Sequence, residues 1–353
     1  MGNNTSDTSL FKIRSTVACI KSGLNLFTAN FKNIFKYTWK AALLSTIIFG
    51  LIIAYDFSVL LDILKGSAQT ENNSSLFLIL IAEGIYIVAC SLVMKPLYDH
   101  KKLGHIPANH KLLSLKSLFA RKSEITGCML SAIKAPFTAL RKRNSLSHAQ
   151  AKPLLFFFHN PAWRYVKASC FFMIILCVLT FIISWGVFKY SISHEMSQTV
   201  LISSAIAFLL VTLLISVPIP FISTRYSMDC KLRFWRSLIS SYGLAFRYSF
   251  KIYLLFIIYV LVYIIVGCMM LLPLFVLALA LSTALSGAIA YGDPLNLPDY
   301  MVYIIGGTVA VELFFLYYLI QASTFPIYYL YGSIEMREKN RKNSKRQQSP
   351  TKN

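Results

Sequence analysis

Two carboxylates stand inside long apolar runs. Glu83 lies thirteen residues before Pro96 and Glu312 fourteen before Pro326, so the pattern puts them at nearly the same level of two different helices. An ionisable group at membrane depth costs roughly 2.5–3.5 kcal/mol on insertion scales, which makes the pair a candidate site for a proton, a cation or a polar ligand. The structural alternative is that each acid is protonated or bonded to a Ser, Thr or Tyr of a neighbouring helix. Neither run holds an Arg or Lys that could pair with it.

His100, His105 and His110, with Asp99, form the next cluster. Steps of five do not stack side chains on one helical face, as metal ligands at i and i+4 would stack, and Gly104 and Pro107 interrupt any helix. A solvated basic loop is the simpler reading; a headgroup enzyme using Asp99 and His100 is the catalytic one. The seven cysteines at 19, 90, 128, 170, 177, 230 and 268 form no C-x-x-C pair, so they read as small apolar residues and imply neither a disulfide framework nor a zinc site. Gly306-Gly307 lies in an apolar helix and reads as a close-packing site. There is no phosphate-binding glycine loop with its lysine, no G-x-S-x-G turn, no H-E-x-x-H pair and no dense aspartate motif of headgroup transferases. The sequence therefore assigns no catalytic residue, no metal and no cofactor.

The elements that must position these residues are membrane helices. Of the 353 residues, 56% are hydrophobic and 14% charged, whereas soluble domains carry about 25% charged residues. The net charge of +21 would suit a nucleic-acid binder, but its distribution excludes that partner. Six Lys and Arg fall in residues 1–40, thirteen in 97–167, six in 223–251 and seven in 332–353, while the short connections within the apolar pairs hold Lys65 and Lys189 alone. The same connections and helix ends carry Asp56, Asp62, Glu71, Glu195, Asp293 and Asp299. This asymmetry follows the positive-inside rule and predicts a multi-pass protein of a bacterial inner membrane with both termini cytoplasmic.

The predicted fold is all-α, a polytopic membrane protein with six spans arranged as three hairpin repeats, each preceded by a basic amphipathic surface helix. Residues 1–40 form a cytoplasmic amphipathic region, with Val17, Ile20, Leu24, Phe27, Phe31 and Ile34 on one helical face. Hairpin 1 covers 41–96, a basic loop 97–167, hairpin 2 168–222, a basic amphipathic segment 223–251 and hairpin 3 252–331. A disordered basic tail covers 332–353. The run from Ile252 to Ala290 is divided by Pro273, and the charge rule favours one span followed by a re-entrant or interfacial segment at 274–290 over two spans. Internal repetition supports the three units. Phe35-Lys36-Tyr37-Thr38-Trp39-Lys40 and Phe246-Arg247-Tyr248-Ser249-Phe250-Lys251 lie 211 residues apart, and Leu24, Phe27 and Phe31 match Trp235, Leu238 and Tyr242 at that offset. Trp163-Arg164-Tyr165-Val166-Lys167 is a looser echo, and Pro96, Pro220 and Pro326 each precede an acid and then a base.

Aromatic and cationic residues at a span's start read as headgroup contacts. The candidates are Lys36, Trp39, Lys40, Arg164, Arg247 and Lys251, with Arg141, Lys142 and Arg143 in the basic loop. The expected partner is a bilayer with anionic headgroups, together with a membrane protein or a second copy of the chain. The stretch Asn30-Phe31-Lys32-Asn33-Ile34-Phe35-Lys36 leading into Ala41-Ala42-Leu43-Leu44 resembles the uncharacterised bacterial six-helix membrane domains attached to some glycerophosphodiester phosphodiesterases. The resemblance implies a six-helix membrane architecture; with no phosphodiesterase domain in this sequence, it carries over no catalytic residue. The leading functional expectation is a non-enzymatic assembly, regulatory or lipid-contacting module. A small-solute or lipid transporter using Glu83 and Glu312 is second, and an enzyme acting on lipid headgroups third.

Overall fold

The computed structural model of the chain describes residues 10–64, 74–106, 160–193, 215–229, 234–291 and 300–347, with 203, 206 and 212 as isolated positions. These residues form helices and no strand: α1 (Thr16–Leu64), α2 (Ser74–Ser91), α3 (Met94–Leu103), α4 (Pro161–Ser193), α5 (Ile219–Met228), α6 (Phe234–Arg247), α7 (Ser249–Met270), α8 (Leu272–Tyr291) and α9 (Met301–Gln347). Among the described residues, five stretches are long and apolar enough to cross a membrane: Thr16–Val59, Ile81–Leu103, Pro161–Phe181, Ser249–Met270 and Met301–Lys345. Most of the expected fourth span, and the basic loop's Leu112–Leu140 stretch with Arg141, Lys142 and Arg143, lie outside the described residues.

The expected division between a surface helix at 1–40 and a first span does not occur. α1 is one helix of 49 residues, roughly 73 Å long at 1.5 Å per residue. No proline interrupts it, and α9, with 47 residues, lies antiparallel along it. The pairing runs from Arg14, whose backbone N–H donates to Ser333 Oγ at 3.0 Å, through the Phe27–Phe325 ring contact at 5.3 Å, to Gly50 against Gly306. Cys19, Gly23, Phe27, Ile34, Thr38 and Ala42 are buried along α1, whereas Val17, Leu24 and Phe31 are exposed. Half of the expected apolar stripe is thus turned away from the protein, because α9 covers the neighbouring, smaller-residue face.

Around Gly50 that face becomes very small. A Cβ on Gly306 would stand 2.8 Å from both Ala54 Cβ and the Gly50 carbonyl oxygen; one on Gly50 would stand 2.5 Å from the Gly306 oxygen and 2.8 Å from Ala310 Cβ. Gly50 with Ala54 and Gly306 with Ala310 are small residues four apart on facing helices, the spacing that lets backbones approach closely in lipid. Gly306 therefore carries the expected close-packing role. Gly307 does not, since a Cβ there would meet nothing within 4 Å.

Prolines act differently at the three returning helices. α2 stops at Ser91, the chain turns at Leu92-Val93 (Val93 φ −70°, ψ −21°), and α3 carries Pro96. A turn at Val217-Pro218 (Pro218 φ −71°, ψ −19°) opens α5 in the same way. α9 instead continues through Pro326, whose ring packs against Gly23 where a Cβ would collide with it. The expected disordered tail is also corrected: α9 runs to Gln347 because its end is held. The Arg337 guanidinium donates to the Arg14 carbonyl at 3.3 Å, and Glu338 pairs with Arg247 at 3.2 Å and Arg341 at 2.7 Å.

In the long apolar run, α7 and α8 are separated at Leu271, two residues before Pro273, which falls in the first turn of α8. Proline is tolerated there because its missing N–H would have had no helical partner. α8 has 20 residues, about 30 Å of helix, and packs against α7 and α9. Around this frame, α2 packs on α1 and α4, and α5 on α3, α4, α6 and α9.

The contact at Gly306 yields a paired test. Gly306→Val should destabilise the detergent-solubilised protein by about 1–3 kcal/mol more than Gly307→Val, the cost of overpacking, since both carry the same helix-propensity change. Thermal unfolding of the two variants reads the difference, and equal melting temperatures would contradict the close approach.

Candidate functional site

The depth of the two carboxylates follows from how α2 and α9 lie side by side. The Tyr317 hydroxyl donates to the Ala89 carbonyl at 2.9 Å and Gln321 Nε2 to the Cys90 carbonyl at 3.4 Å, the latter at an offset of 231 residues. The Tyr86 and Tyr317 rings meet edge-on at 5.8 Å across the same pair of helices. Glu83 and Glu312 consequently sit within two residues of the same level, as the sequence pattern implies. Among the described contacts no hydrogen bond joins them directly.

Glu312 has a specific neighbour. Its carboxylate lies near the backbone N–H of Leu274, the third residue of α8. Amides in a helix's first turn have no partner within the helix and are normally capped by a side-chain oxygen. Here a carboxylate of another helix stands beside them. Oε1 of Glu312 is buried and has no hydrogen-bond partner among the described residues. Glu83 is half-buried on α2.

Just inside this level lies a polar cluster that sequence reasoning missed. The Tyr86 hydroxyl and the Gln321 side chain both lie against Cys90, and Tyr165, Tyr263 and Tyr317 are close enough to interact with it electrostatically. Thr38 of α1 reaches the Tyr318 hydroxyl at 3.3 Å. The available signal was the i, i+4 spacing of Tyr86 with Cys90 and of Tyr317 with Gln321 inside apolar runs. Gln321 Oε1 in this cluster is buried without a hydrogen-bond partner among the described residues, and an unpaired polar atom in an apolar surrounding is costly. Among the described residues no three His, Cys, Asp or Glu side chains converge as a metal site requires.

The basic residues divide into buried and exposed sets. Arg164, expected at the headgroups, is 6% exposed. Its Nε donates to the Tyr226 carbonyl and its Nη2 to the Asp229 carbonyl, both at 2.8 Å, and its guanidinium lies 3.9 Å from the centre of the Tyr226 ring. These carbonyls end α5, where the last turn lacks amide partners and the helix dipole favours a cation. Lys101 does the same from α3, donating to the Met228 carbonyl at 2.8 Å and to the Tyr331 hydroxyl at 3.1 Å. Arg225 Nε pairs with Glu335 at 2.7 Å and its Nη1 donates to Ser241 at 3.0 Å. The three segments following Pro96, Pro220 and Pro326 are thereby pinned together.

His100 belongs to this interior. It is 3% exposed, with Nδ1 3.0 Å from the Tyr328 hydroxyl, which removes it from reach of a lipid headgroup. His105 is exposed with Nδ1 near the Leu103 carbonyl, so these two histidines are not brought together; His110 lies outside the described residues. Lys36, Trp39 and Lys40 are exposed as expected, with the Lys40 ammonium 5.6 Å from the Trp39 ring centre. Arg247 is exposed but tied to Glu338. Lys251 is half-buried, within electrostatic reach of Cys19 and Arg337.

These geometries separate structural from surface charges. Arg164→Gln should cost about 1.5–3 kcal/mol, the range for hydrogen bonds from a charged donor, with the same loss in anionic and zwitterionic detergent; Lys40→Gln should leave the melting temperature within its error. Glu312→Ala should speed deuterium exchange at the start of α8 by the equivalent of about 0.5–2 kcal/mol, and Glu312→Gln, which keeps an acceptor oxygen, by less. Unchanged exchange in Glu312→Ala would contradict that contact. Comparison of the chain with protein-family models, with curated proteins and with solved structures finds no match.

Proposed function

We propose that the chain is a non-enzymatic, lipid-contacting membrane module that holds its basic face against anionic headgroups. The observation that carries this reading is the surface of α6 and the start of α7. Trp235, Ile239, Phe246 and Phe250 are 64%, 75%, 69% and 79% exposed and follow one another at near-helical steps, with Arg236 exposed among them. An amphipathic helix of this kind, aromatic on one side and basic beside it, lies in the headgroup region and is drawn there by anionic lipid.

In this reading the chain crosses a bacterial inner membrane six times, in three related units, with both ends cytoplasmic. The sixth crossing is the segment ending near Phe221, and α8 is an interfacial or re-entrant helix. The pairing of α1's start with α9's end supports a common side for the two ends. At the 211-residue offset, Phe27 and Leu238 are both buried, as are Ile34 and Ala245, which supports related units. The resemblance to six-helix membrane domains adds an architecture to this reading and no reaction.

The test is stability in nanodiscs of phosphatidylcholine with and without phosphatidylglycerol. Anionic lipid should raise the melting temperature, and roughly 1 M salt, with a Debye length of about 3 Å, should cancel the rise. Lys36→Gln, Lys40→Gln and Arg236→Gln combined should remove about 3 kcal/mol of attraction, near 1 kcal/mol per charge. A melting temperature indifferent to lipid charge would remove the proposal.

A second reading, a proton or cation path through Glu83 and Glu312, draws on the unpartnered Oε1 of Glu312. It requires that Glu83→Gln and Glu312→Gln each abolish flux reported by an entrapped pH dye in proteoliposomes. Equal flux in the native protein and both variants would eliminate it.

A further inference from the structure

Behind the exposed stripe of α6 lies a groove between that helix and α4. It encloses about 350 Å³, with Phe171, Ile175 and Leu176 on the α4 side, Trp235 and Ile239 on the α6 side and Ile219 of α5 at its base. That volume falls within the ~300–1,000 Å³ of small-molecule sites. Its described lining is apolar apart from the Trp235 indole N–H and the Tyr242 hydroxyl, so it suits hydrocarbon and not a water-soluble solute.

Position decides the source of that hydrocarbon. Beside the groove on α4, Ile174, Val178 and Phe181 are 62%, 52% and 68% exposed. Large apolar surface of this extent, on a helix long enough to cross a membrane, is covered by lipid tails. The groove therefore opens where acyl chains already are.

Charge decides which lipid. Lys167 lies one helical turn before Phe171, and its ammonium is 4.7 Å from the centre of the Phe234 ring. Arg236 follows Trp235 directly. Both cations are exposed, and among the described residues neither has a carboxylate partner. Phe171 meets Phe234 and Trp235 at 5.3 Å each, while Phe172 meets Tyr242 at 6.0 Å, so both cations stand at the same end of an apolar slot. That is the layout of a phospholipid, with a phosphate at the cationic end and a tail along the groove.

We infer that the groove between α4 and α6 binds one acyl chain of an anionic phospholipid, with Lys167 and Arg236 holding its phosphate end. The inference rests on the lipid-contacting reading and narrows it to one site and one lipid class.

The test uses the full chain in nanodiscs doped with phosphatidylglycerol or phosphatidylcholine carrying the same brominated chains. The signal is the tryptophan quenching lost on Trp235→Phe, a substitution at an exposed side chain. Two cations at headgroup level imply about a thirtyfold preference for the anionic lipid. Lys167→Gln with Arg236→Gln should bring the preference close to one, and Ile239→Asp, at a side chain outside the core, should abolish site quenching by either lipid. Equal quenching by the two lipids overturns the site while the broader lipid contact stands; quenching by neither overturns both. A disulfide-linked dimer forming through Ile239→Cys in membranes would place a second copy in the groove and overturn the site.

Discussion

The antiparallel clasp of α1 and α9 is the constraint on which the rest of the molecule depends. Without a hydrophobic drive between helices in lipid, close backbone approach must come from small residues, and Gly50, Ala54, Gly306 and Ala310 supply it at one level. From there the pair extends to the ends of both helices, with Gly23 admitting the Pro326 ring and Gly332 lying against Leu10. α2 then packs on the clasp, with Ala42, Ala89 and Tyr317 forming a small core of their own. The shared depth of Glu83 and Glu312 is a consequence of that packing.

Helix ends are the second organising problem, because their orphan carbonyls and amides must find partners. The structure solves it with side chains from other helices. Arg164 and Lys101 take the carbonyls ending α5, and the Glu312 carboxylate lies beside an amide opening α8. The same residue types thus serve two purposes. Arg164, Lys101 and Arg225 hold elements together, whereas Lys36, Lys40, Lys167 and Arg236 remain on the surface. A basic block counted along the chain mixes both kinds.

The three aromatic and basic stretches of similar sequence take different local forms. Phe35 to Lys40 lies in mid-helix, Trp163 to Lys167 in the first turns of α4, where Pro161 follows the capping Asn160, and Phe246 to Lys251 across the α6–α7 junction at Tyr248. α1 continues unbroken through Phe35 to Lys40 because α9 packs along it on both sides of that stretch. α6 and α7 part at theirs because the first packs toward α4 and α5 and the second toward α1 and α9. Separating them leaves the apolar slot beside α6 and exposes its aromatic stripe.

Much of this was determined by the sequence alone. Composition and charge segregation called for membrane helices, Pro273 marked the division of the longest apolar run, the register of Glu83 and Glu312 placed them at one depth, and Gly306 announced a close contact. Apolar periodicity is local, so it reports that a helix has a face and leaves open what covers it. The tertiary structure decided that α1 turns Cys19, Gly23 and Phe27 toward α9, that the chain's last helix runs on to Gln347, and that Arg164 and His100 are interior. It also decided that Cys90 gathers Tyr86 and Gln321, and that Glu312 lies beside the start of α8. Each of those outcomes depends on contacts between residues far apart in the chain, and such contacts are selected by the packing of whole helices, which no short stretch of residue types encodes.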